Sequence, residues 1–352
     1  MSVDRGYDAR RYDVTTAPGF STDTLREDRE WGIVLYRDRR IGVVVPAYKE
    51  ELLIGETLKS IPGFVDKIFV VNDASPDRTG EIVEKYAKTD PRIVLLTHEE
   101  NKGVGAAIVT GYKQALEEGI DIAAVMAGDN QMDPSFLPDL LNPIVEKRAD
   151  YTLGNRLMSP DYRHGMSKWR FFGNAVLTLL TKIASGYWQM MDPQNGYTAI
   201  SKRALERINL DGVYPRYGYC NDILINLNIW GFRVRNIPHP ARYGAEKSGI
   251  HYTSYIVKVS HLLLSRFLWR LKMKYVMLSF HPLVFFYSFG AGLAAFGIFA
   301  GLVTLWEKFV AGYSVLFVHG VLSFLIFMMG TMFLLFAMLY DMEQEKNTNG
   351  WY

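Results

Sequence analysis

Two charge-free apolar stretches near the C-terminal end constrain this chain more than any other feature. Pro282–Trp306 runs for 25 residues and Tyr313–Tyr340 for 28, with no Asp, Glu, Lys or Arg in either. About 20 apolar residues of helix cross a bilayer core, so each stretch is long enough to span. Trp306, Tyr313 and Tyr340 stand at their ends, as in an aromatic belt. The short connector predicts a tight antiparallel hairpin. Arg266, Arg270, Lys272 and Lys274 cluster just before the first span. Cations there favour anionic headgroups, although a solvated helix face gives the same pattern. The positive side is the side of the rest of the chain, which puts that part and both termini in the cytoplasm, at the cell membrane. Gly297 and Gly301 form a small-xxx-small pair, suited to contact within the hairpin or to a homo-oligomer. His319 is the ionisable group of the spans, and an interhelical hydrogen bond is its expected role.

The region ahead of the spans reads differently. Short β-branched runs alternate with helical patterns. Strands are predicted within 41–50, as a β-branched run ending in Pro, and at Lys67–Val71, Arg92–Thr97, Ile122–Met126 and Tyr151–Leu153, with helices at 51–60, 103–119 and 134–147. Pro143 inside the last of these is a potential break. Further on, 189–200 reads as a loop entering a short strand, Tyr219–Trp230 as a helix and Val234–Ile237 as a strand. This alternation predicts an α/β fold, a doubly wound and mainly parallel sheet with ligands at the C-terminal edge of its strands. Residues 251–275 are amphipathic, basic and aromatic, the profile of a helix lying in the membrane interface. The expected organisation is an N-terminal arm at 1–40, a cytoplasmic domain at 41–250, an interfacial helix at 251–280, a hairpin at 281–340 and a cytoplasmic tail at 341–352.

Composition excludes some classes of partner. The formal charge of +2 over 352 residues gives no global field for nucleic acid. One cysteine, Cys220, allows no intrachain disulfide and reads as packing. The N-terminal residues are charged, without the apolar core of a signal peptide.

The polar residues with chemical interest fall where strands end. Asp73, in NDASPDRT, is a carboxylate able to accept hydrogen bonds from a base or ribose, or else a turn acid. Asp77 reads as a cap. Lys102 and Gly103, in NKGVGAA, open a helix whose N-terminus favours an anion. Asp129 and Gln131, in AGDNQMDP, form a hard-oxygen set suited to Mg²⁺ or Mn²⁺ shared with a diphosphate, and Asp133 reads as a helix cap before Pro134. Arg156 and Arg170 are guanidinium candidates for phosphate, and Asp192 opens a loop, DPQNGY, suited to sugar hydroxyls. Acids suited to a nucleotide diphosphate and its metal, joined to a membrane hairpin, suggest transfer from a soluble nucleotide to a lipid.

The ordered set PAYKE, NDASPDRT, NKGVGAA, GDNQ, GNR and DPQNGY, followed by a basic helix and two spans, resembles the family 2 glycosyltransferases of GT-A fold. It most resembles their polyprenyl-phosphate members, of which dolichol-phosphate mannose synthase is the type. The motifs cover about 41–250; the membrane part matches by architecture. The resemblance implies that Pro46, Tyr48 and Glu50 cup the nucleobase and that Asp73 binds base or ribose. It makes Asp129 and Gln131 the later members of a DxDxQ metal motif, Arg156 and Arg170 phosphate ligands, and Asp192 a donor-loop acid. It assigns the acceptor phosphate to Arg170, Arg242, Lys247 and Ser248. The implied donor is a GDP- or UDP-sugar, mannose or glucose by type, and the acceptor is polyprenyl or dolichyl phosphate. The implied reaction is inverting, with Asp222 as a candidate base or a helix cap. One departure is Ala127, which stands where the motif has its first Asp, and this bears on metal dependence. A processive polysaccharide synthase would carry QxxRW and more spans, and an inactive donor-binding scaffold would account for Ala127.

Overall fold

The computed structural model describes residues 25–28, 33–158, 168–239, 252–314 and 317–349. The strands are β1 (Leu25–Asp28), β2 (Ile33–Tyr36), β3 (Ile41–Ala47), β4 (Lys67–Asn72), β5 (Ile93–Thr97), β6 (Ile122–Val125), β7 (Tyr151–Asn155), β8 (Thr198–Ser201) and β9 (Val234–Pro238). The helices are α1 (Ile54–Ser60), α2 (Thr79–Ala87), α3 (Val104–Glu117), α4 (Leu137–Val145), α5 (Lys168–Ser185), α6 (Lys202–Leu205), α7 (Tyr219–Ile229), α8 (Tyr252–Lys272), α9 (Leu283–Phe309) and α10 (Phe317–Asn349). They group into two compact units. Residues up to Phe171, with Met191–Ile223 and Arg233–Tyr255, form the first; Phe172–Met190, Leu224–Phe232 and Ile256–Tyr352 form the second.

The first unit is built on a seven-stranded sheet in the order β5-β4-β3-β6-β8-β7-β9, and β1 pairs with β2 as a separate hairpin. Strands β3 and β4 are apolar along almost their whole length because both faces are covered. Val43, Val44, Val45, Ile68, Phe69 and Val70 are fully buried, each contributing about 1.5–3 kcal/mol of transfer free energy. The parallel β3, β4, β5 and β6 were all legible in the sequence. β8 was expected as a strand, but its direction was not: it runs antiparallel between β6 and β7. Pro143 does not end α4. The helix runs on to Val145, and the Pro143 carbonyl then accepts from both Arg148 N and Ala149 N.

Register decides what meets at each edge. Ala47 pairs with Asn72, so β3 and β4 end level. Val125 pairs with Thr198, so the end of β6 lies beside the start of antiparallel β8. Leu153 also pairs with Thr198, which brings the end of β7 to the same edge. The segments following β3, β4, β6 and β7, and the segment preceding β8, therefore converge.

In the second unit, α9 and α10 are both long and apolar enough to cross a membrane, with mean hydropathy of 1.9 and 2.4. Most of their apolar surface is exposed, unlike that of a soluble core helix. They pack closely where glycine removes the side chain. Gly297 faces the backbone of Phe327, and Gly330 faces the backbone of Ala294. Gly301, expected to share this seam, has only Ser323 Cβ nearby at 3.9 Å. The contact pair is thus 297/330 rather than 297/301. The His319 side chain is exposed and forms no hydrogen bond among the described residues, so the expected interhelical bond is not made.

The basic run ahead of α9 is also corrected. Arg270 does not reach for headgroups; it is 0% exposed. Its guanidinium holds Asp341 on α10 at 3.2 and 2.7 Å and donates to Asn228 Oδ1 and the Ile183 carbonyl, each at 3.2 Å. Tyr275 donates to Asp341 Oδ1 at 2.6 Å and Lys274 to Asn228 Oδ1 at 2.8 Å. Gly186, at φ +75°, lies against this guanidinium, where any Cβ would collide. Along α8, Val259, Leu263 and Leu271 are buried while Val257, Leu264 and Leu268 are exposed, so apolar side chains stand on both sides of this helix.

Candidate active site

The site is the C-terminal edge of the sheet. The loops after β3 and β4 are joined: Lys49 N donates to Ser75 Oγ at 2.8 Å, and Glu50 N to Thr79 Oγ1 at 3.0 Å. Asp77 organises this junction. It accepts from Ser75 Oγ at 2.5 Å and from Thr79 Oγ1 and N at 2.6 and 3.1 Å. Burial pushes its carboxyl up, but these hydrogen bonds outweigh it and hold the group at about 2. The capping role read from the sequence is correct.

Asp73 is 3% exposed and accepts Lys102 N at 2.9 Å, Gly103 N at 2.8 Å and His98 Nδ1 at 2.7 Å. His98 meets Thr110 Oγ1 at 2.9 Å through its other nitrogen. Both oxygens of Asp73 therefore face the 101–103 turn, and the carboxylate shapes that turn. The glycines have a similar explanation. Gly103 has φ +96°, and a Cβ there would lie 2.6 Å from the Pro215 carbonyl oxygen; Gly105 is pressed against Tyr214 and Tyr219. Pro215 O also accepts Ala106 N at 3.0 Å, so one orphan amide of the α3 N-terminus is taken by protein rather than by an anion. The Lys102 side chain is exposed.

Asp222, the candidate base, is fully buried, and its Oδ2 accepts Tyr214 N at 2.8 Å. It thereby fixes the 214–217 segment that packs on Gly103 and Gly105. Arg156 and Asp192 were read as separate ligands. The structure joins them: Arg156 Nε and Nη2 bind Asp192 at 2.7 and 2.9 Å, a bidentate pair in which the carboxylate is buried. In the same loop, Asn195 Nδ2 donates to the Gly154 carbonyl at 2.8 Å and meets His239 Nε2 at 2.8 Å. Sequence reasoning missed His98 and His239, and it read Asn195 with its loop as suited to sugar hydroxyls rather than as a partner of Gly154 and His239. Each has a partner 25 to 44 residues away in the chain, and no local spacing reports such pairs.

Asp129 stands apart from these satisfied groups. It is partly buried, its Oδ1 accepts Gln131 N at 3.1 Å, and burial raises its carboxyl above the ordinary range. Among the described residues it has no ion pair. Asp133 is occupied as a cap, accepting Ser135 N at 3.0 Å, and no cluster of three acidic, His or Cys side chains suited to a metal occurs among the described residues. Position 127 contributes only its N–H, to Met132 Sδ at 3.2 Å. A single carboxylate with an adjacent amide fits a Mg²⁺-like ion completed by water and substrate phosphate, not a protein-only cage. Around it, Gly128 N donates to the Pro46 carbonyl at 3.3 Å and Glu50 lies beside Gly128, so Pro46 and Glu50 share this corner; Tyr48 is exposed at the rim. Two buried amide nitrogens, Asn155 Nδ2 and Gln194 Nε2, have no hydrogen-bond partner among the described residues. Arg170 lies in the first turn of α5, where only the backbone is described, and Arg242, Lys247 and Ser248 lie outside the described residues.

Parallel strands carrying an acid at their C-terminal edge, with an antiparallel strand beside them, are the arrangement expected of a GT-A-type glycosyltransferase. Residues 42–208 match the Glycosyl transferase family 2. A UDP-N-acetylglucosamine--dolichyl-phosphate N-acetylglucosaminyltransferase of Methanococcus voltae is 31% identical over 218 residues, covering 57% of this chain and 86% of that protein. A polyprenol monophosphomannose synthase of Mycolicibacterium smegmatis is 30% identical over 213 residues, covering 57% and 76%. A solved mycobacterial protein superposes with a TM-score of 0.50 at 19% identity, over 66% of this chain and 75% of its own, a likeness of fold. The chain belongs to glycosyl transferase family 2 and is a glycosyltransferase.

Proposed function

We propose that the enzyme transfers a hexose from a nucleotide-diphosphate sugar to polyprenyl or dolichyl phosphate at the membrane surface, with 41–250 as a cytoplasmic catalytic domain. The observation that carries the reading is one chain holding both a family 2 sheet edge and two helices of membrane-crossing length. Relatives named for dolichyl- and polyprenyl-phosphate acceptors support it.

Asp129, with Gln131, would hold Mg²⁺ or Mn²⁺ against the donor diphosphate, where the ion offsets charge developing on the leaving group. Pro46, Tyr48 and Glu50 take the base. Asp73, Lys102 and Gly103 form the turn beside it, with Asp73 acting through the backbone. Asn155 Nδ2 and Gln194 Nε2 are buried donors lacking acceptors, and sugar hydroxyls or phosphate oxygens would satisfy them. Arg156, oriented by Asp192, borders the diphosphate. Arg170, Arg242, Lys247 and Ser248 receive the acceptor phosphate, on the strength of their sequence motif.

The acceptor oxygen is already ionised, so it attacks the anomeric carbon as the carbon–oxygen bond to the nucleotide diphosphate breaks, with inversion. No proton has to be removed, and Asp222 is free to serve as a loop anchor. The protein's contribution is placement and charge stabilisation.

The test is transfer of label from GDP-mannose, UDP-glucose and UDP-N-acetylglucosamine into an organic-phase lipid, using polyprenyl phosphate with Mg²⁺ or Mn²⁺. Label from one donor, lost with EDTA and with Asp129→Ala, is the expected result. Donor binding without transfer from any of the three would overturn the reading in favour of a scaffold.

A further inference from the structure

We propose that a cleft at the opposite, N-terminal edge of the sheet binds a phosphate-bearing anion. The cleft encloses about 400 Å³. Five cations line it, Arg39, Lys147, Lys202, Arg203 and Arg233, against two acids, Asp121 and Asp150. That is an excess of three positive charges in a chain whose formal total is +2.

The two acids do not neutralise this set. Asp150 is 4% exposed, and its one charge is shared between two guanidiniums: Oδ1 pairs with Arg203, while Oδ2 accepts Arg233 N at 3.0 Å and lies 3.6 Å from Arg233 Nε. Asp121 Oδ2 accepts the backbone N–H of Arg40 at 2.9 Å. Among the described residues, Lys202 reaches only Glu206, at 3.9 Å. The side chains of Arg39 and Lys147 make no ion pair or hydrogen bond among the described residues.

The convergence is imposed by register. Ile41 pairs with Ile122, Ile122 with Ser201 and Tyr151 with Val234, so the segments before β3, β6, β7 and β9 and the one after β8 meet at this edge. Four stretches of chain thus deliver cations to one place. Like charges gathered in this way repel, and more strongly above the apolar lining of Ile122 and Ile144 than in open water. An anion removes that repulsion. Guanidinium forks beside ammonium groups suit phosphate oxygens, and the volume admits a phosphate, a diphosphate or one lipid headgroup rather than a polymer. The site lies at the edge away from Asp129 and does not depend on the donor chemistry.

The experiment is thermal unfolding of the full chain in nanodiscs, comparing wild type with Arg39→Ser/Lys147→Ser. These two side chains have no partner among the described residues, so the variant should match or exceed the wild-type Tm when no anion is added. Inorganic pyrophosphate in phosphatidylcholine discs probes a soluble ligand, and phosphatidylglycerol in place of phosphatidylcholine probes a headgroup. The expected result is a rise in Tm for wild type in one of these arms, with an apparent Kd at least ten-fold weaker in the double variant. Asp129→Ala should keep the wild-type response, which separates this cleft from the donor edge. No rise in either arm, an equal rise in the double variant, or loss of the rise in Asp129→Ala would each overturn the proposal.

Discussion

Replacing Asp341 by Ala would leave the Arg270 guanidinium buried without its counter-charge. Arg270 is 0% exposed and Asp341 2%, so water cannot take over the lost contacts. Two charge-assisted hydrogen bonds, at 3.2 and 2.7 Å, disappear, and Tyr275 loses its acceptor at 2.6 Å. Asn228 and the Ile183 carbonyl remain, but neither carries charge. Removing one partner of a buried pair costs about 3–5 kcal/mol. At about 2–4 °C per kcal/mol, the Tm should fall by roughly 6–20 °C. The assay is thermal unfolding of detergent-purified protein. Because much of the cost comes from stranding one charge, Arg270→Met/Asp341→Leu should be less destabilised than either single variant. A fall of under about 3 °C in Asp341→Ala, or a double variant as damaged as the sum of the singles, would refute the reasoning.

Three further outcomes follow from the site. Gly103→Ala forces a side chain into a conformation that costs about 1–3 kcal/mol and pushes on Pro215, so donor KM should rise along with a loss of stability; unchanged kinetics and Tm would show the turn to be slack. Asp129 has a raised carboxyl, so the folded state holds that proton more tightly than the unfolded chain, and ionisation destabilises the fold as pH climbs past the ordinary carboxylate range. Asp129→Asn should therefore raise the Tm at neutral pH without metal while abolishing transfer, and a lower Tm would contradict this. Asp77 has the opposite sign: its stabilisation is present above about pH 4 and is lost as pH falls through about 2. The wild-type and Asp77→Asn melting curves should differ at neutral pH, by a screened, modest amount, and converge toward pH 2.

The alternation of apolar runs was enough to predict the parallel strands, the two long apolar helices and an acid-bearing edge, because local periodicity reports burial directly. It also singled out Asp77, which accepts Thr79 N two residues on, and Asp129, which accepts Gln131 N two residues on. It could not give the direction of β8, since a four-residue strand reads the same either way. Nor could it pair Arg156 with Asp192, 36 positions apart, or turn Asp73 toward the 101–103 backbone. The basic run before α9 looked uniform in sequence, yet Arg270 is buried and Lys272 exposed, because helix rotation and the position of Asp341 separate them. The cations of the N-terminal edge are scattered from 39 to 233, and only strand register collects them. Sequence alone determined which segments are buried, which are long enough to span and where acids end strands. Tertiary structure decided which of the charged groups spend their hydrogen bonds on the protein, because that depends on neighbours brought together by the sheet rather than by the chain.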